Sequence, residues 1–320
     1  MRGDDLASFP IDTTTPDDVR ILHDNLCLFD DTASHTLNID NCGTAMRFLT
    51  AFYAQKTGCD IVLDGCERMH ERPIGQLVDA LRELGADISY LGSEGYPPLH
   101  IRGRQLTSRT VTLNNPQSTQ FVSALMLIGV KVHTDCQSPY IAMTQSLIDQ
   151  TGNEATNERC WSSAAFWYEY VAIYGGELFL CGLSKESLQG DKTVADIFSN
   201  LGVNTVYEKE GVRIRKVKTT TTHQPLTVNF SSCPDLYSAV FATCVRIGVK
   251  MCFSGLESLP LKESNRLEAM KQLLKYHTVS SYGDHRVAMA AIVAGYEVDD
   301  TACISKSYPL FLKQWQQLRP

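Results

Sequence analysis

Apolar and polar positions follow one pattern that recurs along this chain. Residues 74–84 place apolar side chains at helical spacing, stop at Gly85, and pass into a strand-like run over 86–90. Residues 193–201 do the same, stopping at Gly202 before a strand-like run over 203–207. A glycine just past a helix supplies the left-handed C-cap, and the β-type run follows. Residues 266–276 begin alike, through Leu267, Met270, Leu273 and Leu274, but lack the glycine and the strand; 141–150 is a weaker copy. Short strand-like runs lie between these helices, at 60–63, 99–101, 110–113, 177–180, 212–214 and 226–230. Repeated helix–strand–strand units spaced about 50 to 75 residues apart predict several copies of one supersecondary unit. A Rossmann fold is not indicated, because no GxGxxG follows a strand.

Composition adds bounds. At roughly 150 residues per domain, 320 residues suggest two domains. A boundary is expected in the polar stretch 154–158, and the threonine run 219–222 reads as a surface turn. Hydrophobic residues at 43% and charged residues at 20% are ordinary for a globular chain. The longest apolar run, 121–132, is about a dozen residues against the roughly 20 of a membrane span. Asp4, Asp5, Asp17, Asp18 and Asp24 leave no room for an apolar leader in the first 30 residues. The net charge of −7 argues against a general nucleic-acid binder but leaves room for a local cationic site. The 11 cysteines are odd in number and none are spaced CxxC, so reduced, mostly buried thiols of a cytosolic protein are expected, with no metal site.

Four short runs pack charge beside small or helix-starting residues. Asn41 to Arg47 reads as a small-residue turn opening a helix, which presents N–H groups to an anion; an ordinary N-cap by Asn41 or Thr44 is the plainer account. In Glu67 to Gly75, Arg68 and Arg72 precede Pro73, and the planar guanidinium suits phosphate or carboxylate; a solvated loop with ion pairs is the plainer account. In Lys262 to Arg266, a helix start would put Lys262 and Arg266 on one face; a surface salt-bridge run reads the same. Asp284-His285-Arg286 leads straight into an apolar helix, where charge is costly unless used or paired, and Asp284 suits an N-cap.

With Gly95-Tyr96-Pro97-Pro98, Ser118-Thr119-Gln120-Phe121 and Ser305-Lys306-Ser307-Tyr308-Pro309, these runs fall in the order seen in EPSP synthases (3-phosphoshikimate 1-carboxyvinyltransferases). From about Asp17 onward the chain resembles that family. The resemblance implies an α/β (α+β) fold: a two-domain inside-out α/β barrel of repeated β-α-β-α-β-β units, here 1–156 and 157–320, closing on substrate like a clamp. It implies transfer of the enolpyruvyl group of phosphoenolpyruvate to the 5-hydroxyl of shikimate 3-phosphate, through a tetrahedral intermediate, on the route to chorismate and aromatic amino acids. It implies no metal or organic cofactor, no nucleic-acid or membrane partner, and a cytoplasmic monomer. By the same resemblance, Gly43, Arg72, Gln120, Arg266, Arg286 and Lys306 hold phosphoenolpyruvate. Ser118, Thr119, Gln120, Asp235 and Lys262 hold shikimate 3-phosphate, Asp235, Glu263 and Lys306 handle protons, and His285 supports them.

The chain departs from the family pattern in places. No Gly-Ser-Lys-Ser-x-x-x-Arg segment is present near the start, a basic residue is missing before Pro139-Tyr140, and Cys160 stands where the family has Asp. Strands are expected to be missing between Gln150 and Asn157 and between Tyr276 and Val279. These departures favour a second reading, a degenerate or truncated member that keeps the fold and anion binding without turnover. A third is the related UDP-N-acetylglucosamine enolpyruvyl transferase, whose sugar-nucleotide motifs are not seen.

Overall fold

Helix α1 (Asp17–Cys27) leads into one complete β-α-β-α-β-β unit: β1 (His35–Asn38), α2 (Gly43–Ala54), β2 (Asp60–Asp64), α3 (Gly75–Glu83), β3 (Asp87–Tyr90) and β4 (Leu99–Arg102). The sheet order is β1-β2-β4-β3, with β1 parallel to β2 and the other pairs antiparallel. Ile61, Ile101 and Ile88 lie in register across this sheet and are buried, as are Leu63 and Leu99. Gly85 takes φ +97 just past α3, the left-handed stop that the sequence predicts. A second repeat gives β5 (Thr110–Thr112), α4 (Thr119–Leu127), parallel β6 (Lys131–His133) and α5 (Pro139–Asp149). The computed structural model describes residues 10–27, 35–150, 158–217 and 225–318. Two compact units, 1–150 and 151–320, divide the chain; the expected boundary at 156/157, and the first expected gap in the repeats, lie outside the described residues.

The second unit begins with α6 (Trp161–Tyr174) and β7 (Glu177–Cys181), followed by a 3-10 turn (Gly190–Thr193), α7 (Val194–Ser199), β8 (Val203–Glu208) and β9 (Gly211–Lys216). These strands make an antiparallel sheet of order β7-β9-β8. β10 (Leu226–Asn229) and β11 (Met251–Ser254) run parallel around α8 (Tyr237–Ile247), followed by α9 (Arg266–Lys271). β12 (Thr278–Val279) and β13 (Glu297–Val298) run parallel around α10 (His285–Val293), and α11 (Phe311–Leu318) closes the unit. After α9 the chain passes through a 3-10 turn (Gln272–Leu274) directly into β12, so among the described residues this repeat lacks its last two strands, as expected. The helix expected over 266–276 therefore ends at Lys271.

Helices α6, α8 and α10 pack on one another inside this unit. Trp161, Phe166, Tyr168, Val171, Ala242, Ala288 and Val293 are buried in its core. That burial on all sides explains their near-continuous apolar sequences. All 11 cysteines are free, but only Cys42, Cys233 and Cys244 are buried, so the thiols are more exposed than expected. Among the described residues no helix is long and apolar enough to cross a membrane.

Glu169, on α6, is an exception to that apolar interior. It is fully buried and neither carboxyl oxygen has a hydrogen-bond partner. Burial pushes its pKa well above the ordinary range. A carboxyl raised in the folded state favours folding below the unfolded carboxyl pKa, and that contribution is lost as pH rises. Glu169→Met is therefore expected to stabilise the protein near neutral pH by about 1–3 kcal/mol, the penalty of an unsatisfied buried group. Urea unfolding should show a smaller gain at about pH 3, where the glutamate is largely protonated in both states.

Candidate active site

In the first unit the cationic residues converge on the start of α2. Cys42 is the N-cap, accepting from the Ala45 N–H at 3.3 Å, rather than the expected Asn41 or Thr44. Its neighbour Gly43 leaves the space that two arginines use. A Cβ there would lie 2.6 and 2.8 Å from the Arg72 Nη2 and Nη1 atoms and 2.9 Å from Arg47 Nη1. Arg47 is buried and donates to the Gly43 carbonyl at 3.1 Å and to the Pro73 carbonyl at 3.3 Å. Arg72, also buried, follows a 3-10 turn (Glu67–Glu71) and donates to the backbone and side-chain oxygens of Asn41 at 3.4 Å. Two guanidinium groups at a helix N-terminus reinforce the positive end of its dipole.

Helix α4 brings its own start to the same place. Ser118 caps α4 by accepting from the Gln120 N–H, and the Gln120 amide donates to Thr44 Oγ at 3.0 Å. Gly43, Arg72 and Gln120 thus share one corner of this unit, with Ser118 and Thr119 at the adjoining helix end. Arg68 instead pairs with Glu71 at 2.6 Å, the ordinary loop ion pair.

The second unit holds a cage of alternating charge. Arg266 is its hub: Nε donates to Asp284 at 2.8 Å, Nη1 to Asp235 at 2.8 Å and Nη2 to Glu263 at 2.7 Å. Asp235 also pairs with Arg286 at 3.0 Å and Lys262 at 3.3 Å. Ser264 donates to Asp284 at 3.1 Å, and the other Asp284 oxygen caps α10 by accepting from the Arg286 N–H at 2.9 Å. Lys262 and Arg266 meet at Asp235, but not as helix neighbours. Asn265 caps α9 by accepting from the Glu268 N–H, so the helix starts at Arg266 and Lys262 lies in the loop before it. Lys306 is buried at the end of a 3-10 turn (Ala302–Lys306) that packs on α10.

The charges fix the protonation states. Burial alone would raise the Asp235 pKa, but Arg286, Lys262 and Arg266 outweigh it and hold the carboxyl well below the ordinary range. Asp284 is likewise lowered, because Arg266 overcomes its burial. His285 is buried and neither ring nitrogen has a partner. Burial first, and then the Arg286 charge, push its pKa down to about 3, so its ring is neutral near pH 7. The cap by Asp284 is as the sequence suggests; its ion pair with Arg266, 18 residues away, has no local signal in the sequence. Among the described residues no cluster of His, Cys, Asp and Glu is arranged to hold a metal ion.

Comparison with known proteins places these features in context. The family model for EPSP synthase (3-phosphoshikimate 1-carboxyvinyltransferase) matches residues 12–159, 160–276 and 272–315. A 3-phosphoshikimate 1-carboxyvinyltransferase of Bacteroides fragilis is 34% identical over 99% of this chain and 89% of its own length. Its counterpart from Vibrio cholerae is 30% identical over 88% of this chain and 79% of its own. The solved EPSP synthase of Acinetobacter baumannii superposes with a TM-score of 0.64 at 20% identity, covering 88% of this chain and 78% of that one. The fold is the α/β fold of EPSP synthase structures.

Proposed function

The chain belongs to the EPSP synthase family, and from that premise we propose that it moves the enolpyruvyl group of phosphoenolpyruvate to the 5-hydroxyl of shikimate 3-phosphate. The products are 5-enolpyruvylshikimate 3-phosphate and phosphate, on the route to chorismate. The observation that carries this reading is Asp235, a half-buried carboxylate ringed by three cations in the second unit. Both substrates are polyanions, and the reaction needs a base that works among cations.

In this reading the 5-hydroxyl oxygen attacks C2 of phosphoenolpyruvate while its proton passes to Asp235. The methylene carbon gains a proton from an acid, for which Glu263 and Lys306 are the candidates. The tetrahedral adduct then returns one proton of its methyl group to the residue that had acted as the acid, as the C–O bond to phosphate breaks and phosphate leaves. Arg72, Gln120 and the Gly43 backbone in the first unit, and Arg266, Arg286 and Lys306 in the second, serve the phosphate and carboxylate of phosphoenolpyruvate. Ser118, Thr119, Gln120, Asp235 and Lys262 serve shikimate 3-phosphate, and neutral His285 supports Arg286 without exchanging protons near pH 7. With this go a monomeric state and a cytoplasmic location; eleven free thiols suit a reducing compartment.

Phosphate release by the purified chain is the test. Release that requires both substrates supports the reading. No release from a chain that melts cooperatively overturns it in favour of a member that keeps the fold without turnover. Gly43→Ala gives a finer check. The added methyl must push the buried Arg72 guanidinium aside, at the loss of one charge-assisted contact worth about 1.5–3 kcal/mol. The KM for phosphoenolpyruvate should rise about 10- to 100-fold with a smaller change in kcat.

A further inference from the structure

The cage around Arg266 has two unequal halves. One half is sealed: the Arg266 and Asp284 side chains are 1% and 0% exposed. The other half is open: Arg286, Lys262 and Asp235 are 12%, 26% and 21% exposed. An anion arriving from solvent therefore meets Arg286 and Lys262 first. Both already hold Asp235, at 3.0 and 3.3 Å. A phosphate or carboxylate is a better partner for an arginine fork than a carboxylate shared among three cations, because it can accept two parallel bonds.

The charge count points the same way. Three cations, Lys262, Arg266 and Arg286, pair with three carboxylates, Asp235, Glu263 and Asp284. An anion held by Arg286 and Lys262 adds negative charge beside Asp235, which keeps its bond to Arg266 at 2.8 Å but loses two cations and so binds a proton more readily. His285, the remaining titratable ring beside this cluster, stays neutral because burial and Arg286 hold it so. Asp191 and the Cys160 thiol also act on Arg286 from the α7 and α6 sides, and both favour its charged form. The sealed Arg266–Asp284 pair keeps α9 and α10 together while the open half changes partners.

We propose that substrate anions arm the base: an anion bound by Arg286 and Lys262 displaces Asp235 from them, leaving it held by Arg266, and only then does Asp235 accept a proton. This rests on the enolpyruvyl-transfer reading, in which Asp235 accepts the proton of the 5-hydroxyl. The free enzyme then holds its base paired and inert, and basicity appears when the reacting groups are present. Anion binding and proton binding are coupled and the coupling is reciprocal.

Two measurements on the full-length chain test it, with sulfate as a probe that does not itself titrate near neutral pH, and with phosphoenolpyruvate. Calorimetry in buffers of different ionisation enthalpy should show a fractional proton taken up on sulfate binding by the wild type; phosphoenolpyruvate, whose own phosphate titrates near about pH 6, serves for the affinity comparison. Asp235→Asn should bind both anions more tightly than wild type, by about tenfold, because the internal competitor is gone, and should take up no proton. Binding by Asp235→Asn that is unchanged or weaker, or wild-type binding without proton uptake, overturns the proposal. Should Asp235→Asn fail to melt cooperatively, the wild-type proton count decides alone. Turnover by wild type is scored separately. Its absence removes the enolpyruvyl-transfer reading, whereas turnover without proton uptake removes only the arming of the base.

Discussion

Asp235→Ala should lower kcat by about 100- to 10,000-fold, the range over which a positioned general base contributes. No neighbour is placed to substitute for it. Glu263 is tied to Arg266 at 2.7 Å, Asp284 is sealed and caps α10, and His285 is neutral with its ring buried. Because three cations hold Asp235 well below the ordinary carboxyl range, it is ionised across the working pH range. The loss in kcat/KM, which reports the free enzyme, should therefore be flat from about pH 6 to 8, where the wild-type base stays deprotonated. The KM for phosphoenolpyruvate should fall or stay level, since removing a carboxylate frees Arg286 and Lys262. A kcat loss under tenfold, or a rise in that KM, would show that Asp235 serves binding rather than proton transfer.

Arg266→Met should be the most destabilising single change in the second unit, by about 3–5 kcal/mol, because it strands buried carboxylates that had a partner. Arg266 spans Asp284, Asp235 and Glu263 with three separate N–H groups. Arg266→Lys keeps the charge but not the fork, so its loss should be smaller yet substantial. The pH dependence has a definite sign. Asp235 and Asp284 both have lowered pKa values in the folded chain. Their contribution to stability is present above the unfolded Asp pKa of about 3.9 and is lost as pH falls through the folded values. The stability of the wild type to urea should therefore fall more steeply with acid than that of Arg266→Met. The difference between the two should be largest near neutral pH and shrink towards about pH 3.

The repeat was legible where a helix kept one polar face. α3 and its Gly85 stop could be read residue by residue, because Leu77, Val78 and Leu81 face the core and Gln76, Asp79 and Glu83 do not. α6 and α8 left no such trace: an interior helix is apolar on every side and shows no period. The runs around Arg72, Arg266 and Arg286 were visible as odd densities of charge next to small or helix-starting residues. Their geometry was not, because a linear sequence cannot show that Asp284 and Arg266, 18 residues apart, share a bond. Local capping also overrode position. Asn265 stops the helix from extending back to Lys262, and Cys42 takes the cap that Asn41 and Thr44 seemed to offer.

Proton NMR of the complete reaction in D2O tests the central claim most directly. The purified chain, phosphoenolpyruvate and shikimate 3-phosphate are mixed, and the vinyl protons are followed. The account predicts that the phosphoenolpyruvate signals are replaced by those of an enol ether on the 5-oxygen. Deuterium should enter the vinyl positions, since the methylene carbon gains and loses a proton, and Asp235→Ala should leave the substrates unchanged. Persistence of both substrates with a folded wild-type chain, or loss of phosphoenolpyruvate to pyruvate without shikimate 3-phosphate being consumed, would contradict it.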